Sequence, residues 1–177
     1  MKKSLMLLFF SVAVLFTSCK KDDSTTTAPT TTTDPIVGVW VSDGANVAYG
    51  LKYWFKVKKI VATFNENKTY TVVQTDSSNV TTTLTGTYKN TVSTYTDTLS
   101  TSTTKGATIY EIEAKQDKPT TITAVGIYAI SSTNMSYEVD QTEPSIGVTP
   151  PTPQTGFGST MAGGVKYPIY VQKYVKQ

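Results

Sequence analysis

The sequence contains no histidine and no arginine, and Cys19 is its only cysteine. Without histidine, the commonest general base and a frequent metal ligand are missing, and a single thiol cannot form an internal disulfide. Without arginine, the chain lacks the side chain best suited to grip a phosphate or carboxylate with two hydrogen bonds. We therefore expect a protein that is not an enzyme and that uses no metal and no cofactor.

Charge is also scarce. The chain has 16 basic and 13 acidic residues, and loss of Lys2 and Lys3 with a leader would reduce the net charge from +3 to +1. Proteins that bind nucleic acid usually carry a strongly basic face. We therefore expect no nucleic-acid partner.

Only one long apolar run occurs, at residues 5–16. It is shorter than the roughly 20 residues that a helix needs to cross a bilayer. Lys2 and Lys3 precede the run, and the small residues Thr17 and Ser18 follow it. This order is typical of a signal peptide, here over residues 1–18.

Cys19 directly after the signal resembles the lipobox of bacterial lipoproteins, which implies that its thiol is acylated and that the membrane is a partner. Residues 20–23, Lys-Lys-Asp-Asp, are similar to the export signal of Bacteroidota surface lipoproteins. That similarity implies a lipid anchor in the outer membrane with exposure at the cell surface; a solvated tether at the periplasmic face is the alternative. Residues 19–35 are expected to form a flexible, Thr-rich tether.

The remaining residues, 36–177, are expected to form one all-β domain. Tyr110, Ile112 and Ala114 alternate with Glu111 and Glu113, and this period of two predicts half-buried strands. Short polar turns between such segments indicate an antiparallel meander, which we expect to close into a β-barrel of about eight strands. The predicted strands are 37–42, 59–65, 69–76, 80–89, 92–99, 107–115, 121–131, 134–140 and 165–175.

Two segments break the alternation. Residues 45–58 place Val47, Leu51, Trp54 and Phe55 at helical spacing, which predicts either a short helix or an aromatic flap between the first two strands. Residues 142–164 contain four prolines and five glycines, which predict a long irregular loop.

Gly38 and Trp40 match the Gly-x-Trp signature of lipocalins. Residues 62–71, 86–88, 126–128 and 135–138 follow in an order similar to that of lipocalin-like bacterial lipoproteins. The resemblance implies a lipocalin-like barrel whose closed end is plugged by Trp40. It also implies a basic side chain from the last strand on the indole, for which Lys173 is the candidate.

Aromatic side chains supply the candidate ligand-binding residues. Tyr53, Trp54 and Phe55 lie beside lysines and are candidates for stacking on a sugar ring or meeting a lipid headgroup; the alternative is an element whose aromatic rings cap the core. Tyr88 and Tyr128 are the expected cavity lining. The inward tyrosines as a group indicate either a cavity or tight packing; they are Tyr70, Tyr88, Tyr110, Tyr128 and Tyr137.

Two pairs of carboxylates lie two residues apart on predicted strands, namely Glu111 with Glu113 and Glu138 with Asp140. The spacing of about 7 Å within each pair suits an inverting glycosidase, but glycosidase carboxylates usually come from different strands. We expect both pairs on a solvated outer face.

The sequence thus predicts an anchored, non-catalytic barrel that binds a small apolar molecule or a glycan. The alternative is a plugged barrel that serves as a structural or accessory subunit, with an envelope protein as its partner and residues 142–164 as the docking loop.

Overall fold

Eight antiparallel strands close into a barrel in the computed structural model, which describes residues 34–177. A 3-10 turn (Gly44–Asn46) and the short helix α1 (Tyr49–Phe55) follow the first strand. Strands β1–β7 and β11 form the barrel, while β8–β10 form a small separate sheet. The strands are β1 (Gly38–Asp43), β2 (Val57–Phe64), β3 (Thr69–Asp76), β4 (Thr81–Thr96), β5 (Thr108–Lys118), β6 (Ile122–Ser131), β7 (Asn134–Glu143), β8 (Val148–Thr149), β9 (Met161–Ala162), β10 (Val165–Lys166) and β11 (Gln172–Lys176).

The predicted all-β class and the closed barrel of about eight strands are confirmed, and of the two alternatives for residues 45–58 the structure has the short helix. The separate strands predicted at 80–89 and 92–99 are wrong, because β4 runs through both and Asn90 pairs with Ile112 of β5 without interruption. The last strand begins at Gln172 and not at residue 165. Pro168 has no N–H to donate and lies in the segment before β11, where it interrupts no ladder of the barrel.

The barrel has two unlike ends, which we call the closed end and the mouth. The turns at 65–68 and 132–133 lie at the closed end, where the described chain also begins, at Asp34. Helix α1 and the turns at 77–80 and 119–121 lie at the mouth. Strand β1 therefore runs from the closed end to the mouth, and β11 runs back.

Trp40 fills the closed end. The residue is fully buried, and its indole Nε1 donates a hydrogen bond of 2.7 Å to the carbonyl oxygen of Ile36. Lys176 Nζ lies 5.2 Å from the centre of the indole ring, within the range of a cation–π contact. The expectation of Lys173 here is wrong, because the register of β11 pairs Lys176 with Trp40. Lys173 instead donates to the carbonyl oxygen of Thr101.

Gly38, the other residue of the signature, is required by the same packing. Its φ is +135°, a conformation that side chains rarely adopt. A Cβ atom at this position would lie 2.8 Å from Cε of Lys176. A larger residue would therefore displace the lysine that covers the indole.

A second apolar cluster lies outside the barrel wall. It is formed by outward side chains of β5 and β6 together with Phe157, and its buried members are Ile109, Ile127, Ala129 and Phe157. Leu99 and Ala107, from the connection between β4 and β5, pack against it. The first two residues of the predicted loop at 142–164 belong to β7, and the rest is irregular apart from β8 and β9. Its centre packs on the wall, since Phe157 and Thr160 are buried.

The two tryptophans provide a test of this architecture. Trp40→Ala is expected to destabilise the fold by about 3–5 kcal/mol, because it leaves a cavity at the closed end and removes the Ile36 hydrogen bond. Trp54→Ala is the matched control, and a loss below about 1 kcal/mol is expected because the Trp54 side chain is 49% exposed. Urea unfolding followed by circular dichroism measures both values. Equal losses of unfolding free energy in the two variants would contradict the role of Trp40 in filling the closed end.

Candidate functional site

A cavity of about 280 Å³ lies inside the barrel and is lined by inward residues of β2–β7 and β11. Leu51 of α1 and Tyr170 also contribute to its wall, so it lies on the mouth side of the barrel. Apolar atoms dominate the wall, with Phe64, Val72 and Val139 among the lining residues. An apolar cavity with a few polar groups is the usual form of a small-molecule site.

Four glutamines surround the cavity near the mouth. Gln74, Gln116, Gln141 and Gln172 lie on β3, β5, β7 and β11, close to the mouth end of each strand. We call them the glutamine rim. The candidate residues predicted from the sequence do not include the rim, although its glutamines occupy inward positions of their strands.

Backbone groups at the mouth hold three of the rim amides. Gln116 Nε2 donates to the carbonyl oxygen of Thr120, and Gln141 Nε2 donates to that of Pro144, both at 2.8 Å. Gln172 Oε1 accepts a hydrogen bond of 2.9 Å from the amide of Ala48, next to α1. These bonds fix the amide planes and leave the Oε1 atoms of Gln116 and Gln141 without a protein donor among residues 34–177.

Three tyrosines lie deeper in the cavity wall. Tyr70, Tyr137 and Tyr174 come from β3, β7 and β11. Burial raises the pKa of Tyr70 to about 12, with a smaller contribution from Asp117, and burial also raises the pKa of Tyr137 and Tyr174. At neutral pH all three are neutral hydroxyls, which donate and accept hydrogen bonds but are poor general bases.

The expectation that Tyr88 and Tyr128 line the cavity is wrong, although both point inward as predicted. They lie at the closed end, where Asn90 Nδ2 donates to the Tyr128 hydroxyl at 2.6 Å and to Asp34 at 2.9 Å. The Tyr88 hydroxyl donates to the carbonyl oxygen of Asn65 at 3.0 Å. Alternation assigns a side chain to a face but gives no position along the barrel axis. Both tyrosines thus help to seal the closed end.

Helix α1 forms as one of the two predicted alternatives, and it lies beside the mouth. Leu51 is its contact with the cavity, while Tyr53, Trp54 and Phe55 are 58%, 49% and 66% exposed. None of these three lines the cavity, although Trp54 stacks on Tyr170 with 5.9 Å between ring centres. Their predicted contact with a ligand remains a prediction that concerns the outer surface of the mouth.

The two carboxylate pairs differ in their surroundings. Glu111 is exposed and Glu113 lies 3.5 Å from Lys115, as expected for an outer face. Glu138 and Asp140 also point outward, but the prediction that they are solvated is wrong because both are buried. The irregular loop at 142–164 covers them, and sequence alternation does not reveal that a loop returns over a strand.

Loop residues satisfy the buried pair. Glu138 accepts hydrogen bonds from the Gly158 amide at 2.6 Å and from Thr160 Oγ1 at 2.7 Å. Thr160 Oγ1 also lies 2.7 Å from Asp140 Oδ2. Burial raises the pKa of both carboxyl groups, although the Thr160 hydrogen bonds oppose the shift. The Thr160 hydroxyl has one proton and can donate it to only one of the two carboxyl groups. A proton on the other carboxyl group lets that group donate a hydrogen bond to Thr160 Oγ1.

No cluster of three or more histidine, cysteine, aspartate or glutamate side chains suited to a metal occurs within residues 34–177. In the same part of the chain, no helix is both long enough and apolar enough to cross a membrane. No family model matches the sequence, and no curated protein or solved structure shows significant similarity to it.

The buried pair predicts how stability depends on pH. Because the folded pKa of Glu138 lies above its unfolded value, the folded chain binds more protons, and this contribution to stability is lost as pH rises through the folded pKa. Between about pH 4 and about pH 8 the melting temperature of Glu138→Gln should therefore fall less than that of the parent. Glu111→Gln, at an exposed position, is the control and should keep the parental slope. If the melting temperature changed with pH in the same way in all three proteins, the raised pKa of Glu138 would be contradicted.

Proposed function

We propose that this protein is a non-catalytic, lipocalin-like binding protein that holds a small, largely apolar molecule in its barrel and is anchored in the outer membrane, at the cell surface, through acylated Cys19. The observation that carries the proposal is the cavity behind the glutamine rim. Its volume of about 280 Å³ lies just below the range of about 300–1,000 Å³ that is usual for ligand pockets. The expected ligand is therefore small.

The chemistry of the wall supports binding without catalysis. The lining residues, all within 34–177, are apolar side chains, tyrosines and glutamines. Amides do not titrate, and the raised pKa values of Tyr70, Tyr137 and Tyr174 keep their hydroxyls protonated. Such a wall can orient a ligand, but it offers no group suited to take up a proton at neutral pH.

The lipocalin resemblance has support from the closed end. Trp40 with Gly38 and Lys176 forms the plug that the signature implies, with a lysine on the indole. A glycan is the second candidate ligand, because rings of α1 are presented at the mouth and Tyr49 stacks on Tyr53 with 5.9 Å between ring centres. Cys19 and residues 20–33 of the predicted tether lie outside the described residues, so the anchor rests on the sequence. Asp34, near the end of the predicted tether, is held at the closed end by Lys68 and Asn90.

The accessory-subunit hypothesis makes a different demand on the structure. It requires a plugged barrel and a free docking loop at 142–164. A cavity favours the binding hypothesis, and so does the packing of Phe157 and Thr160 against the barrel's own wall. The exposed parts of this loop, such as Ile146, are the surface on which an envelope protein would dock under the alternative.

Filling the cavity tests the binding function. Ala124→Phe, on the cavity wall near the mouth, should displace the ligand without opening the closed end. Val92→Phe is the control, because Val92 is exposed on β4 and does not line the cavity. Native mass spectrometry of protein purified from its own membranes should show a bound small molecule in the parent and in Val92→Phe, and at least about tenfold less in Ala124→Phe. Absence of any bound molecule from all three would count against the proposal.

The anchor has its own test. Cys19→Ser removes the acylation site and should move the protein from the membrane fraction to the soluble fraction, while the circular dichroism spectrum of the barrel stays unchanged. Ser18→Ala is a neighbouring control that keeps the thiol and a small residue before it. A membrane fraction unaffected by Cys19→Ser would show that another interaction holds the protein there.

A further inference from the structure

We infer that the ligand is an uncharged molecule with a hydroxyl or carbonyl group at one end, and that this group binds to the hydroxyls of Tyr70, Tyr137 and Tyr174. These three side chains are called the tyrosine cluster. The inference rests on the proposed function, and it adds the chemical class of the ligand and its orientation, with the polar end innermost.

The tyrosine cluster is a compact group on three strands. Ring centres of Tyr137 and Tyr174 are 6.2 Å apart in an edge-on arrangement. The ring centre of Phe64 lies 6.2 Å from that of Tyr70 and 6.4 Å from that of Tyr137, so Phe64 packs between these two tyrosines. All four residues belong to the wall of the cavity.

The hydroxyls of the cluster have no partner among residues 34–177, where the side-chain hydrogen bonds of tyrosine belong to Tyr88 and Tyr128 at the closed end. In the same residues, every side-chain oxygen or nitrogen that is fully buried has a hydrogen-bond partner. The hydroxyls of the cluster must therefore reach open space, and the open space that these side chains line is the cavity. Buried tyrosine hydroxyls usually have a hydrogen-bond partner, so a polar ligand atom is the natural complement.

The ligand's polar group is expected to be neutral because the wall has no counter-charge. No lining residue is ionised at neutral pH. A carboxylate in this position would lose its hydration without gaining a lysine or arginine partner. The glutamine rim does not supply a counter-charge either, because its four side chains are neutral amides.

A matched pair of probes tests this class. Octanol and octanoate share a chain that suits a small cavity and differ in the charge of the polar end. Calorimetric titration of the mature protein, freed of endogenous ligand, should give at least about tenfold tighter binding of octanol at neutral pH. Tyr137→Phe and Tyr174→Phe should each weaken octanol binding by about three- to tenfold, the value of one hydrogen bond.

Tyr110→Phe is the matched control, since Tyr110 points inward but stacks on Tyr128 and does not line the cavity. It should bind octanol as the parent does. Octanol binding that is equal in the parent and in both cluster variants would overturn the inference and leave the proposed function intact. Tighter binding of octanoate would also overturn it. Failure of both probes to bind would count against the proposed function itself.

Discussion

The burial of Trp40 at one end of the barrel is the constraint on which the rest of the structure depends. The indole, its hydrogen bond to Ile36 and the lysine above it occupy the closed end. Asp34, Asn90 and the hydroxyls of Tyr88 and Tyr128 complete the seal with hydrogen bonds. With the closed end filled in this way, the cavity lies in the mouth half of the barrel, where Leu51 and Tyr170 line it.

The outer layer has a related role on one side of the barrel. Strand β6 buries Ile127 and Ala129 outward and Tyr128 inward, so its wall is packed on both faces. The loop that covers this wall is held by Gly158 and Thr160, which bind Glu138. Glu138 lies between Tyr137 and Val139, which line the cavity, so the loop holds the outer face of a strand whose inner face is part of the cavity wall. The carboxylates that sequence reasoning assigned to solvent are thus part of the support for the cavity.

Periodicity predicted the class of fold, the closure and the inward tyrosines because alternation is a local property of strands. The height of a side chain along the barrel axis depends on pairing register and strand length, which explains why Tyr88 and Tyr128 were assigned to a cavity they do not reach. The burial of Glu138 depends on a loop about 20 residues later in the chain. A signal for the covered wall was present in β6, where Val125, Ile127 and Ala129 make the outward face apolar as well.

The glutamine rim could also have been found from the pattern. Gln74, Gln116 and Gln141 continue the inward series of Tyr70, Ala114 and Tyr137, each near the end of its strand. A polar residue in the inward series of several strands at one barrel end indicates an interior that is not fully packed, because an amide needs hydrogen-bond partners. Lysine or glutamate in the same positions would have required a counter-charge inside the barrel. Glutamine donates hydrogen bonds to the backbone carbonyls at the mouth, keeps the mouth polar and leaves the cavity without charge. The low charge of the sequence thus extends to the interior of the barrel.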